Sequence, residues 1–146
     1  MNKTWAMSGA WASVLALGAM AAAFPAKAEP QPVVTVIVAN VRAPQGAIYA
    51  ALHDERGWRE SVTRVRVPVA GSEVSLQLTA PRPGRYAVRL FQDVDGDGEM
   101  ATGMLGMPAE PFGFSNDAPL QFGPPSFEDA AFEVGADGAA TTVTLR

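Results

Sequence analysis

The stretch Val62-Thr63-Arg64-Val65-Arg66-Val67-Pro68-Val69 decides the fold class of this chain. Its residues alternate, so that Arg64 and Arg66 fall on one face of an extended segment and the intervening valines on the other. A period of two is typical of a strand with one buried and one solvated face. The next alternating run, Glu73 to Leu78, is expected to pair with the first as a neighbouring strand.

Similar short runs cover most of the remaining chain, and no segment shows a convincing helical period. Turn residues such as Pro83-Gly84 separate them. About seven strands in one domain predict an all-β antiparallel sandwich, immunoglobulin-like or transthyretin-like, with one long ordered loop from Asp93 to Ser126. The other predicted strands are Val33–Ala39, Gly46–Leu52, Arg85–Gln92, Phe127–Val134 and Thr141–Leu145.

The first 28 residues have the order of a secretory signal peptide. Lys3 precedes an apolar run from Ala10 to Phe24, and small residues at Ala26 and Ala28 form a cleavage site. The run is short and only mildly hydrophobic for a membrane span, so we expect cleavage after Ala28 and no stable membrane insertion afterwards. Residues 29–146 are then a single periplasmic or secreted domain.

The composition of that domain limits its partners. Both lysines of the chain lie in the signal peptide, which leaves nine arginines against fifteen acidic residues and a net charge of −6. This balance argues against a nucleic acid as partner. The chain has no cysteine, so an exported domain of this kind is stabilised by packing or by a bound ion.

The run Asp93-Val94-Asp95-Gly96-Asp97-Gly98-Glu99 carries the most specific chemistry. Carboxylates at the first, third and fifth positions, a glycine at the sixth and a backbone carbonyl at the seventh are how a calcium loop gathers oxygen ligands. Extended geometry would turn the three aspartates to the same side. We therefore predict a calcium site formed by Asp93, Asp95, Asp97 and the carbonyl of Glu99.

This loop is only half of the standard pattern. Ala101 stands at the ninth position, and Met104 stands at the twelfth, where a glutamate closes the standard loop. We expect Glu110 to supply the missing carboxylate, with Asp117 as the next candidate. The alternative is a solvated turn, because aspartate and glycine both favour tight turns.

The order of three segments resembles a bacterial family, domain of unknown function 2141. The segments are Gly84–Val88, Asp93–Gly98 and the long motif Leu105–Asn116. The resemblance implies a small exported β-sandwich domain without an established activity. In that family the loop is similar to Asp-x-Asn-x-Asn-Gly with an acid at the ninth position, whereas this chain has Asp95, Asp97 and Ala101.

Aromatic residues are the second candidate for binding. Trp58 lies in a polar loop, where it could stack on a sugar or a partner protein or pin its own loop. Phe112 and Phe114, with Phe122 and Phe127, are expected to fold the long loop over an edge or end of the sandwich, with a ligand-binding patch as the alternative. His53 is expected at the surface or as a capping residue.

The remaining arginines leave one further alternative. Arg64 and Arg66 with Arg85 and Arg89 would form a stripe for an anionic ligand if their strands were neighbours, and are otherwise solvated outer faces. As a whole, the sequence predicts a non-enzymatic exported domain with a calcium-stabilised loop. The alternatives are an envelope module that recognises a glycan or a protein, and a hydrolase with a metal-activated water.

Overall fold

A computed structural model describes residues 28–146, so that the predicted signal peptide lies outside the described residues except for Ala28. Two sheets form a sandwich, which confirms the all-β prediction with eight strands instead of about seven. No helix among these residues is long and apolar enough to cross a bilayer. The strands are β1 (Val33–Ala39), β2 (Ala47–His53), β3 (Thr63–Pro68), β4 (Val74–Thr79), β5 (Gly84–Asp93), β6 (Phe112–Phe114), β7 (Phe132–Val134) and β8 (Ala139–Thr144).

The two sheets differ in size and in pairing. The smaller sheet has the order β4-β1-β8, and its β1–β8 pair is parallel, whereas the predicted pairing was antiparallel throughout. The larger sheet has the order β3-β2-β5-β6, all antiparallel, and β7 pairs with the first residues of β5. Strand β5 has ten residues, so β7 and β6 follow one another along it.

The core lies between the sheets and is made of the alternating apolar residues of both. Strand β1 contributes three valines and β2 contributes Ile48, Ala50 and Leu52, all buried. Gly113 in β6 is required by this packing, because a Cβ there would lie 2.6 Å from Cγ1 of Val143. The opposite face of the larger sheet carries the other set of alternating residues, and the candidate sites lie there and at the end of β5.

The predicted pairing of 62–69 with 73–78 is wrong. Strand β3 pairs with β2 in the larger sheet and β4 pairs with β1 in the smaller one, so the turn between them carries the chain across the sandwich. Alternation specifies that each strand has one apolar face. Two such faces are buried equally well when the strands face each other across a core as when they lie side by side.

The predicted strand 127–134 is only half correct. Phe127–Ala130 form a short helix, α1, and the strand begins at Phe132. The hydroxyl of Ser126 accepts a hydrogen bond from the backbone N–H of Asp129, and Glu128 and Asp129 lie in the first turn. Ser126 is thus a helix N-cap, and acidic residues stabilise the positive end of a helix.

Candidate metal centre

The acidic loop begins at the last residue of β5. Asp93 is fully buried and pairs with Ala47 of β2. Its backbone carbonyl lies so close to Gly46 that a Cβ there would be 1.8 Å from the oxygen, and Gly46 has a φ of +74°. Glycine is therefore required at position 46, and the sheet fixes the first residue of the loop.

The carboxylate of Asp93 organises the following turn. Its Oδ1 accepts a hydrogen bond from the N–H of Gly96 at 2.8 Å, and its Oδ2 accepts one from the N–H of Gly98 at 3.0 Å. Both glycines have a φ of +80°, a conformation that other residues rarely adopt. The chain consequently wraps around this carboxylate instead of continuing in extended form.

The next two aspartates repeat the motif on a smaller scale. Oδ1 of Asp95 accepts from the N–H of Asp97 at 3.2 Å, and Oδ1 of Asp97 accepts from the N–H of Glu99 at 2.8 Å. Both side chains are exposed. The prediction that the three aspartates converge is confirmed, although the reason given for it is wrong, because turns and not extended backbone bring them together.

One oxygen from each of Asp93, Asp95 and Asp97 lies within 4.8 Å of the other two. Calcium–oxygen distances are about 2.3–2.6 Å, so a single ion could contact all three oxygens. This cluster could therefore hold a metal ion.

The negative charge of the cluster affects the pKa of Asp95. The hydrogen bond from the N–H of Asp97 lowers the pKa of Asp95, but desolvation, the negative charge of Asp97, a hydrogen bond with Asp93 and the charge of Glu110 together raise it above its usual value. The neighbouring negative charges therefore disfavour the ionised form of Asp95, and a bound cation would relieve this repulsion.

Glu110 lies between the two ends of the acidic loop, residues 94 and 101. Its Oε1 accepts from the N–H of Val94 at 2.8 Å and its Oε2 accepts from the N–H of Ala101 at 3.1 Å, and only 8% of the residue is exposed. It thus joins the two ends of the acidic loop and does not belong to the three-oxygen cluster. Glu99 is exposed, and its N–H is bonded to Asp97.

The predicted aromatic residues lie together on the outer face of the larger sheet. Trp58 packs edge-on against Phe114 with ring centroids 5.3 Å apart, and Phe114 packs against Phe112 at 6.1 Å. The indole N–H of Trp58 donates to the carbonyl of Pro125 at 2.7 Å. The segment after β6 therefore covers the sheet face, not an edge or end as expected, and Phe122 is fully exposed.

The surface position expected for His53 is wrong. Only 1% of His53 is exposed, its ring packs against Trp58, and its Nδ1 lies 2.9 Å from the carbonyl oxygen of Glu60. Burial, then the positive charge of Arg89, lowers its pKa despite that hydrogen bond. The polar residues after His53 predicted an exposed strand end. Trp58 instead folds back over that end and buries His53.

A sandwich of two sheets with an acidic loop at the end of a long strand defines a small all-β domain with a candidate cation-binding loop. A family model described as an uncharacterized protein conserved in bacteria (DUF2141) matches residues 36–143. The chain belongs to this family, as the order of its motifs predicted. No curated protein and no solved structure matches the chain.

Proposed function

We propose that the chain is an exported, non-enzymatic domain whose acidic loop binds calcium. The observation that carries this proposal is the convergence of one oxygen each from Asp93, Asp95 and Asp97 within 4.8 Å. The carbonyl of Glu99 occupies the seventh position of the loop and would add a fourth oxygen. Binding would lock residues 93–110, which connect β5 to β6.

Calcium fits this loop better than magnesium does. Two of the three aspartates are exposed and the loop is irregular, and calcium accepts variable ligand geometry, whereas magnesium requires a nearly ideal octahedron. Export supports the same choice, because extracellular calcium modules work at dissociation constants of about 10⁻⁴–10⁻³ M. An incomplete loop is sufficient at such an affinity.

Two side chains that hydrolytic enzymes often use have structural partners in this domain. Nδ1 of His53 faces the carbonyls of Gly57 and Glu60. The hydroxyl of Ser115 is fully buried, donates to the carbonyl of Ala130 and accepts from the N–H of Val88. These contacts support a binding role over a catalytic one.

Calcium titration of the purified protein tests the proposal. With a dissociation constant of about 10⁻⁴–10⁻³ M, 10 mM calcium stabilises the fold by about 1.4–2.7 kcal/mol. For a domain of this size that corresponds to a rise in melting temperature of about 5–10 °C relative to chelator. Magnesium at the same concentration should give a smaller rise.

Two variants locate the site. Asp95→Ala removes an exposed ligand and should abolish the calcium-dependent rise. Glu99→Ala removes an exposed carboxylate from the same loop but keeps the backbone carbonyl, so its response to calcium should remain. Identical melting curves of the unmodified protein in calcium and in chelator would contradict the proposal.

A further inference from the structure

The outer face of the larger sheet carries a groove beside the acidic loop. Its volume is about 520 Å³, within the range of about 300–1,000 Å³ that is typical of small-molecule sites. Phe91, Phe112 and Phe114 line it from the sheet, residues 105–108 form one wall, and residues 120–124 form the other. The groove lies outside the three-carboxylate cluster.

The walls of this groove expose large apolar side chains to solvent. Leu105 is 98% exposed, Met107 is 51% exposed and Phe122 is fully exposed. Leu105 also has a φ of 62°, in the left-handed region that residues other than glycine, asparagine and aspartate rarely adopt. Exposed apolar groups on both sides of a groove are typical of a binding site.

One end of the groove is basic. Arg89 lines both this groove and an adjoining depression of about 420 Å³ that Arg64 and Arg66 also line. Arg64 and Arg89 pair with the same residue of β2, Ala51, from opposite sides. Their strands lie two spacings apart, about 9.5 Å, so both guanidinium groups can approach one anion. The four-arginine stripe considered from the sequence required neighbouring strands, but β2 separates β3 from β5 and Arg85 pairs with Glu128. Only Arg64, Arg66 and Arg89 share this face.

These three arginines have no acidic partner among residues 28–146. The ion pairs in that part of the chain involve only Arg56 and Arg85. Arg66 donates to the hydroxyl of Tyr49, and Arg64 donates to that of Ser61, both uncharged. In a domain of net charge −6, three of the arginines without an ion pair among the described residues thus share one place.

Arg89 occupies the junction of the two depressions. Desolvation by the surrounding protein, and then the positive charge of Arg64, lowers the pKa of its guanidinium. An anion placed between Arg64 and Arg89 would remove that repulsion, and a planar guanidinium binds carboxylate and phosphate groups through paired hydrogen bonds.

The geometry points to an anionic amphiphile as the ligand of this groove, with its charged head between Arg89 and Arg64 and its apolar tail between Leu105 and Phe122. A carboxylate and a phosphate ester share the required head chemistry. A hydrophilic sugar would leave the apolar walls uncovered, and a ligand with a cationic head would face unpaired arginines. This inference does not depend on calcium binding.

Calorimetric titration with matched compounds tests the head and the tail separately. Dodecanoate and monododecyl phosphate, each below its micelle concentration, should bind, and their relative affinity identifies the preferred head. Dodecyltrimethylammonium has the same tail with the opposite charge, and acetate has the head without the tail, so neither should bind measurably. All titrations are made in chelator, so that the measured affinity for the amphiphile does not depend on whether the acidic loop binds calcium.

Variants then assign the residues. Arg89→Gln should weaken dodecanoate binding about tenfold or more, because it removes charge-assisted hydrogen bonds. Leu105→Asn should weaken it about threefold to tenfold by removing apolar contact, while asparagine tolerates the left-handed conformation and preserves the fold. Arg82→Gln removes an exposed arginine outside the groove and should leave the affinity unchanged.

Three results would overturn the inference. The first is equal affinity for the anionic and cationic amphiphiles. The second is no binding of either anionic amphiphile at about 1 mM, the order of magnitude of a weak specific site. The third is an affinity that is the same in Arg89→Gln as in the unmodified protein. The comparison of head groups needs no variant, so it decides the matter even where Arg89→Gln does not fold.

Discussion

Removal of the Glu110 carboxylate should destabilise the protein because this side chain holds both ends of the acidic loop. The carboxylate accepts from the N–H groups of Val94 and Ala101, and the residue is almost fully buried. A hydrogen bond to a charged group contributes about 1.5–3 kcal/mol. Both freed N–H groups lie at a loop and can rehydrate, so the lower value applies to each, and Glu110→Ala should lose about 3 kcal/mol.

Urea unfolding followed by far-ultraviolet circular dichroism measures this loss. The titration is made in chelator, so that a bound cation contributes nothing to the free energy of unfolding. About 3 kcal/mol corresponds to a fall of about 12 °C in melting temperature for a domain of this size. Glu110→Gln keeps one acceptor oxygen and should lose about half as much.

Glu99→Ala is the matched control, since it removes an exposed carboxylate eleven positions earlier in the same connection. Substitutions of this kind usually change stability by less than about 0.5 kcal/mol. Equal losses in Glu99→Ala and Glu110→Ala would refute the conclusion that Glu110 holds the loop closed.

Two further predictions concern buried polar groups. Ser115→Ala leaves the N–H of Val88 and the carbonyl of Ala130 without their buried partner, so it should cost about 2–4 kcal/mol in urea unfolding, and a loss below about 1 kcal/mol would contradict this. Because burial lowers the pKa of His53, the unfolded chain binds a proton there more readily, and stability should fall as the pH drops below about 6.5 towards the lowered folded-state value. His53→Asn retains a donor towards Glu60, and in this variant the melting temperature should depend less on pH below about 6.5. An unchanged slope would show that other groups cause the pH dependence.

The strands could be predicted from the sequence because each carries its own signal. Alternation in 62–69 and 73–78 specifies which side chains turn to the core. It carries no information on which strand lies next to which, so the predicted pairing of these two runs was wrong. The helix that begins at Phe127 was missed because two local signals disagree there. Ser126 is a helix N-cap residue, whereas the composition of the following residues is typical of a strand.

The acidic loop is the most local of the functional features. Asp93, Asp95 and Asp97 are two residues apart, so their convergence was predicted from the sequence, although on the assumption of an extended backbone. The turns that bring them together depend on the glycines between and after them. The exact role of Glu110 did not follow from sequence. Its carboxylate reaches Val94 only because β6 returns antiparallel to β5 and brings residue 110 beside the loop.

The sequence by itself determined most of the strands, the acidic loop and the family, because short-range alternation, turn chemistry and motif order are properties of neighbouring residues. It did not determine β6, which lies inside the stretch 93–126 that was predicted as a loop. Only the tertiary structure decided which distant residues share a surface. Arg64 and Arg89 lie 25 positions apart in the chain, and strand register places them on either side of Ala51. His53 is buried because Trp58 folds over it. Register and chain return depend on the packing of the whole core, which no local pattern encodes.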